Sequence, residues 1–141
     1  MPRQSMPSVY KVRTHWMQEW DMLLPLGQCW CCHRTAEIQR AHLQAAAIGG
    51  SSEPSNLMLT CRVCNIWLDR AVSECGLEAA IGWVRRCQET SDALAPPSAE
   101  LRRLFSDEAQ RHGFPEPTEA EVDQLWAMRM GSGVSLFGRY A

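Results

Sequence analysis

At 141 residues and a formal net charge of −2, the chain reads as one compact domain with a small appended helical piece, and its bulk charge gives no strong attraction to nucleic acid. A hydrophobic content of 45% permits a core, but a modest one that a structural metal would reinforce. Nine basic residues face eight acidic ones up to Glu89, and five face eight from Thr90 onward, so a DNA-facing surface is expected in the first part.

The first residues, MPRQSMPSVYKVRTHW, contain no apolar signal core, and no later stretch approaches roughly 18 uninterrupted apolar residues. A soluble cytoplasmic protein with no membrane partner is expected. Residues 1–13 read as a tail. Trp16, Met17, Trp20, Leu23 and Leu24 then fall at helical spacing over 14–24, and Pro25 with Gly27 ends the run. Residues 29–32 form a tight turn, 36–43 a short strand, and 45–52 a flexible loop of small side chains. The segment 56–60, NLMLT, reads as a second strand. A helix is expected from Arg62 to about Ser73, and another over 76–89 with Leu77, Ala80, Ile81, Val84 and Cys87 on one stripe. Trp67 and Trp83 read as core aromatics bridging these two helices, and Cys87 as core.

Residues 90–98, TSDALAPPS, are the best linker candidate. Ser98 then serves as an N-cap for a helix carrying Leu101, Leu104, Phe105 and Ala109, which ends near Gly113. Thr118 and Glu121 make a T-x-x-E capping box ahead of Val122, Leu125, Trp126 and Met130. The division along the chain is therefore a tail (1–13), a main domain (14–89), a linker (90–98), a C-terminal helical segment (99–130) and a tail (131–141).

Seven cysteines are an odd number for a disulfide framework. Cys29-x-x-Cys32 and Cys61-x-x-Cys64 are two pairs with the same gap, separated by 28 residues. Each pair can present two thiolates to one ion through a single tight turn, and two such turns complete a tetrahedral zinc site. Four sulfurs leave no open position, so this zinc is structural. Cys31 has the wrong gap to be a ligand, so Cys32 is preferred. His33 can hydrogen-bond a zinc thiolate or face solvent, and solvent is the preferred expectation.

The segment between the pairs has a frame of its own. "AH" at Ala41–His42, Gly49–Gly50, "SNL" at Ser55–Leu57 and "TCRVCN" at Thr60–Asn65 follow the first cysteine pair in order. Thirteen residues separate His42 from Asn56, and eight separate Asn56 from Asn65. In this the region from Cys29 to Arg70 resembles the HNH endonuclease family in its four-cysteine zinc variant. The resemblance implies an α+β fold: a small zinc-stabilised ββα-metal core, a β-hairpin plus a helix, flanked by N- and C-terminal helices. It implies metal-dependent hydrolysis of DNA phosphodiester bonds, with double-stranded DNA as partner. His42 would be the general base, since imidazole titrates near neutrality. Asn56 would orient the ring through its side-chain carbonyl. Asn65, on the helix, would ligate one catalytic divalent metal, Mg²⁺ or Mn²⁺.

Two departures from the family frame matter. The residue before the histidine is often acidic, and here it is Ala41. The third landmark is often histidine, and here it is Asn65. Asp69, four residues on, shares a helical face with Asn65 and can supply the missing carboxylate. The alternative for Asp69 is an ion pair with Arg62 or Arg70, and Glu53 is a weaker ligand candidate. Arg40, Arg62 and Arg70 are candidates for phosphate contact, with a solvated surface role open for each. The acidic C-terminal helices are expected to dimerise or to dock on a protein partner, of phage or mobile-element type by family analogy. A zinc-stabilised nucleic-acid- or protein-binding module without catalysis remains the rival reading, motivated by Ala41 and Asn65. An RNA-directed nuclease is a third.

Overall fold

Ser8 starts the first helix. Its hydroxyl accepts the Lys11 backbone N–H at 3.3 Å, and α1 runs Val9–Trp20, five residues earlier than the Trp/Leu spacing predicts. The reason is Val12, which lies one turn before Trp16 and extends the buried Val12–Trp16–Trp20 stripe backward. Asp21 ends α1 in the left-handed conformation (φ 49°), so Leu23 is exposed at 82% while Leu24 still reaches the core. The expected helical continuation to residue 24 is thus replaced by a cap. The computed structural model describes residues 6–45 and 49–132; the outermost parts of both expected tails lie outside them.

Strands β1 (Gln39–His42) and β2 (Leu57–Thr60) form an antiparallel hairpin, with Gln39 opposite Thr60 and His42 opposite Leu57. All four β2 residues are buried, because the strand is covered on both faces. On one side the Trp16 indole donates to the Leu57 carbonyl at 2.7 Å. A short 3₁₀ turn, Pro54–Asn56, leads into β2 and takes Asn56 out of the expected strand.

Helix α2 (Arg62–Cys75) begins directly after β2, and Gly76 (φ 96°) separates it from α3 (Leu77–Thr90). Leu68 and Ala71 of α2 meet Ala80, Trp83, Val84 and Cys87 of α3 in one core. Cys87 is buried there, as its position on the apolar stripe predicts. Among the described residues no helix is long and apolar enough to cross a membrane.

The segment read as a linker is tied down. The Trp83 indole donates to the Leu94 carbonyl at 2.8 Å, and the Ala95 N–H donates to the Asp123 carboxylate at 2.9 Å. Its end, Ser98, caps α4 (Ala99–Arg111), accepting the Leu101 N–H while donating to Glu74 of α2. Glu74 also accepts the Ala99 N–H at 2.8 Å. Ser98→Ala is expected to lower stability by about 1–2 kcal/mol, since a buried cap and its carboxylate partner are lost together. Urea unfolding measures this, and an unchanged midpoint would rule the cap out as a fastening point.

The Thr118–Glu121 box forms reciprocally at the start of α5 (Glu119–Ser132). Trp126 of α5 meets Trp67 edge-on, centroids 5.7 Å apart. Trp67 therefore bridges α2 to α5. Its half-buried ring fills the gap that the C-terminal helices close. These helices pack on the outer side of α2 through Glu74, Trp67 and Arg70, a contact that no local pattern announces.

Candidate metal centre and adjacent cleft

Four sulfurs converge where the two turns meet. The Sγ atoms of Cys29, Cys32, Cys61 and Cys64 all lie within 4.8 Å of one another, and all four residues are buried. Cys32 and Cys61 are 3.8 Å apart. A tetrahedron with Zn–S bonds of about 2.3 Å has an S···S edge of about 3.8 Å, whereas a disulfide needs about 2.05 Å. All seven cysteines are free thiols. The cluster is positioned to bind a metal ion, and zinc fits the donor set.

The first turn is built by backbone bonds. The Cys29 N–H donates to the Arg34 carbonyl and the His33 N–H to the Cys29 carbonyl, both at 3.0 Å. The chain closes by placing His33 at φ 65°, a conformation that favours glycine. The imidazole offsets this cost. Its Nε2 donates to the Cys87 carbonyl at 3.0 Å and to the Asp92 carbonyl at 3.2 Å. His33 therefore does not simply face solvent: it clips the turn to the end of α3. The Trp30 N–H holds the turn to β2 through the Leu59 carbonyl, and Gln88 of α3 donates to the Trp30 carbonyl at 2.8 Å.

Cys61 caps α2, and its sulfur accepts the Cys64 N–H at 3.5 Å. Cys61 and Cys64 thus sit at a helix N-terminus, where the dipole favours thiolates. The sulfur of Cys29 accepts the Cys31 N–H at 3.4 Å. Cys31 contributes this backbone donor, and its buried thiol adjoins the cluster without being one of the four grouped sulfurs. Burial, reinforced by the neighbouring Cys29, pushes the Cys31 thiol well above its ordinary value. Hydrogen bonds from Cys31, Cys32, Cys61 and Cys64 pull Cys29 strongly down. Cys87, nearby, is pushed up to about 12, chiefly by burial.

Beside the cluster, on the other end of β1, a cleft of about 380 Å³ is lined by Arg40, Ala41, His42, Ala45, Asn65, Ile66 and Asp69. The hairpin delivers His42 and Arg40, and α2 delivers Asn65 and Asp69 one turn apart. His42 is half-buried, and its Nε2 is buried without a hydrogen-bond partner. Asn65 donates through Nδ2 to the Gln39 Oε1 at 2.9 Å. Asp69 is exposed.

Asn56 is placed differently. Its Oδ1 accepts the Gln44 N–H at 2.9 Å, and its Nδ2 donates to the carbonyls of Gln44 (3.0 Å) and Ser51 (2.7 Å). The amide clamps the loop between the strands, rather than bonding the His42 ring. Its three bonds all go to backbone because the 3₁₀ turn aims it into the loop mouth. Gly50 completes the closure. Its N–H donates to the Ala45 carbonyl at 3.0 Å, and a Cβ there would collide with the Gln44 carbonyl. The ends of the loop expected to be flexible are therefore pinned; residues 46–48 lie outside the described ones. Asn56→Leu is expected to cost roughly 2 kcal/mol and to open the loop. Limited proteolysis should then cut between residues 44 and 55 faster than in the wild type; an unchanged cleavage rate would contradict the clamp.

Of the three arginines singled out, Arg40 is exposed on the cleft and donates to the Pro7 carbonyl at 2.9 Å. Arg62 is exposed in the first turn of α2. Arg70 is paired with Glu100 of α4 and lies over the Trp67 ring. That acidic partner comes from the C-terminal segment, so sequence proximity gave no sign of it. Glu53 is exposed outside the cleft lining. A second cavity, about 270 Å³, lies between α4 and α5, where Arg129 is ion-paired with Glu108.

Compared with known proteins, the chain matches no protein-family model, no characterised protein and no solved structure.

Proposed function

We propose that the protein is a metal-dependent endonuclease of HNH type that hydrolyses DNA phosphodiester bonds, with His42 as general base. The single observation that carries this reading is the shared cleft: His42 from the hairpin lies with Asn65 and Asp69 from the following helix. A base on one wall and oxygen donors on the other is the arrangement that attack by water on a phosphodiester requires.

The residues have separable roles. Nε2 is buried and unpartnered, so Nδ1 would be the ring nitrogen that takes a proton from water. The Asn65 amide oxygen and the Asp69 carboxylate are hard oxygen donors suited to Mg²⁺ or Mn²⁺. When bound, such an ion neutralises charge on the phosphate and on the leaving oxygen. Arg40, exposed on the same cleft, would hold a neighbouring phosphate. The metal-bound cysteine cluster would fix the ends of β1 and β2, and with them the separation of the two walls.

A second reading, a zinc-stabilised binding module without catalysis, is favoured by Ala41. The residue before His42 carries no carboxylate, and Ala41 is 1% exposed. Incubating supercoiled plasmid with the protein in Mg²⁺ or Mn²⁺, alongside His42→Ala, tests the choice. Equal activity in both proteins, or none in either, would defeat the enzyme reading. Parallel single-stranded DNA and RNA substrates identify the preferred polymer.

A further inference from the structure

Asn65 has an amide that can present either an oxygen or an NH₂ group to the cleft, and only the oxygen is a metal donor. Its Nδ2 is engaged at 2.9 Å by the Oε1 of Gln39, across the gap between α2 and β1. Gln39 is held in turn by strand pairing opposite Thr60, and its side chain is half-buried. With Nδ2 taken, Oδ1 is the amide atom left for the cleft that Asn65 shares with His42 and Asp69.

We infer that Gln39 is a positioning residue that locks the Asn65 amide with its oxygen toward the cleft, so that Asn65 can ligate a divalent cation. The inference rests on the nuclease reading of that cleft. An amide is a weak ligand, neutral and two-faced. It becomes a dependable one when a neighbour accepts its N–H, because the competing NH₂-out orientation then leaves that acceptor unpaired. Ala41 leaves the site without a carboxylate from the hairpin, so the orientation of Asn65 weighs more here than it would in a site with an extra acidic ligand.

The test is Mn²⁺ binding, followed by the loss of the free Mn²⁺ electron paramagnetic resonance signal in the full-length zinc-loaded protein. Four proteins are compared: wild type, Asn65→Leu, Gln39→Met and Gln39→Glu. Gln39→Met keeps the length of the side chain and removes the acceptor. Gln39→Glu keeps an acceptor. Expected are Mn²⁺ binding weakened about 10-fold or more in Gln39→Met, a similar or greater loss in Asn65→Leu, and affinity at or above wild type in Gln39→Glu. Zinc content and melting temperature serve as controls for folding.

If Asn65→Leu weakens binding while Gln39→Met does not, the positioning role is overturned and the metal site stands. Equal loss in Gln39→Met and Gln39→Glu also overturns it, since the acceptor then makes no difference. Should Asn65→Leu leave Mn²⁺ binding unchanged, the metal-site reading itself fails and the inference falls with it.

Discussion

Removing the metal from the Cys29–Cys32–Cys61–Cys64 cluster is expected to unfold the hairpin and the start of α2. Structural zinc contributes an apparent binding energy of about 10–16 kcal/mol, and a domain of this size has a total stability of about 5–15 kcal/mol. The two quantities are comparable, so a bound ion would decide whether the hairpin region folds. The geometry explains why. The four thiols lie buried within 4.8 Å of one another. Without a cation they must stay protonated or repel one another.

The expected measurements are one zinc per chain by elemental analysis and loss of cooperative melting by circular dichroism when a strong chelator is added. Cys32→Ser should reproduce that loss. Cys31→Ala is the matched control. Cys31 is equally buried, but its thiol lies outside the cluster. It should keep its zinc and lose only about 1 kcal/mol for a small cavity. A protein that melts identically with and without metal would show the cluster to be mere packing.

Replacing His42 with alanine is expected to lower the rate of DNA cleavage about 10²- to 10⁴-fold, the range associated with a general base. Folding should change little. The ring is half-buried on the cleft, and no hydrogen bond to its buried Nε2 is broken by its removal. Zinc content and melting temperature should therefore match the wild type while activity falls. That separation is the informative outcome, because a structural histidine would lower both together. Asp69→Asn, on an exposed carboxylate, should weaken cleavage and raise the Mg²⁺ concentration needed for it. Cleavage by His42→Ala at the wild-type rate would return His42 to an ordinary strand-end residue.

The C-terminal helices alter which surface of α2 stays open. Glu100 of α4 takes up Arg70, and Glu74 fastens the start of α4 to α2. The outer flank of α2 is thereby covered by acidic helices. Arg40 on the cleft and Arg62 in the first turn of α2 stay exposed, and both belong to the more basic first part of the chain.

Features written in local chemistry were legible in the sequence. The C-x-x-C spacing specifies two ligand-bearing turns whatever surrounds them, and all four cysteines meet in one cluster. The T-x-x-E box and the Ser98 cap are short-range hydrogen-bond patterns, and both form. The helical stripe of α3 is set by its own apolar period, including Cys87 in the core. His42 and Asn65 were nominated by the family resemblance and Asp69 by its helical spacing from Asn65, and the hairpin and α2 bring all three to one cleft.

Other features depended on what a residue meets across the fold, which no local pattern encodes. Val12 lengthened α1 because a core lay beneath it. His33 closed the first cysteine turn because the carbonyls ending α3 stood within reach. Asn56 turned into the loop, and Trp67 met Trp126, because of neighbours brought in by distant segments. Arg70 gained an acidic partner from α4 in the same way. The ligand-bearing turns, the caps and the helical stripes could be read from the chain, because each pattern is set by spacings of a few residues. Only the tertiary structure decided the partner of each polar side chain in and around the cleft, because those partners are long-range and a hydrogen bond goes to whichever donor or acceptor the packing delivers.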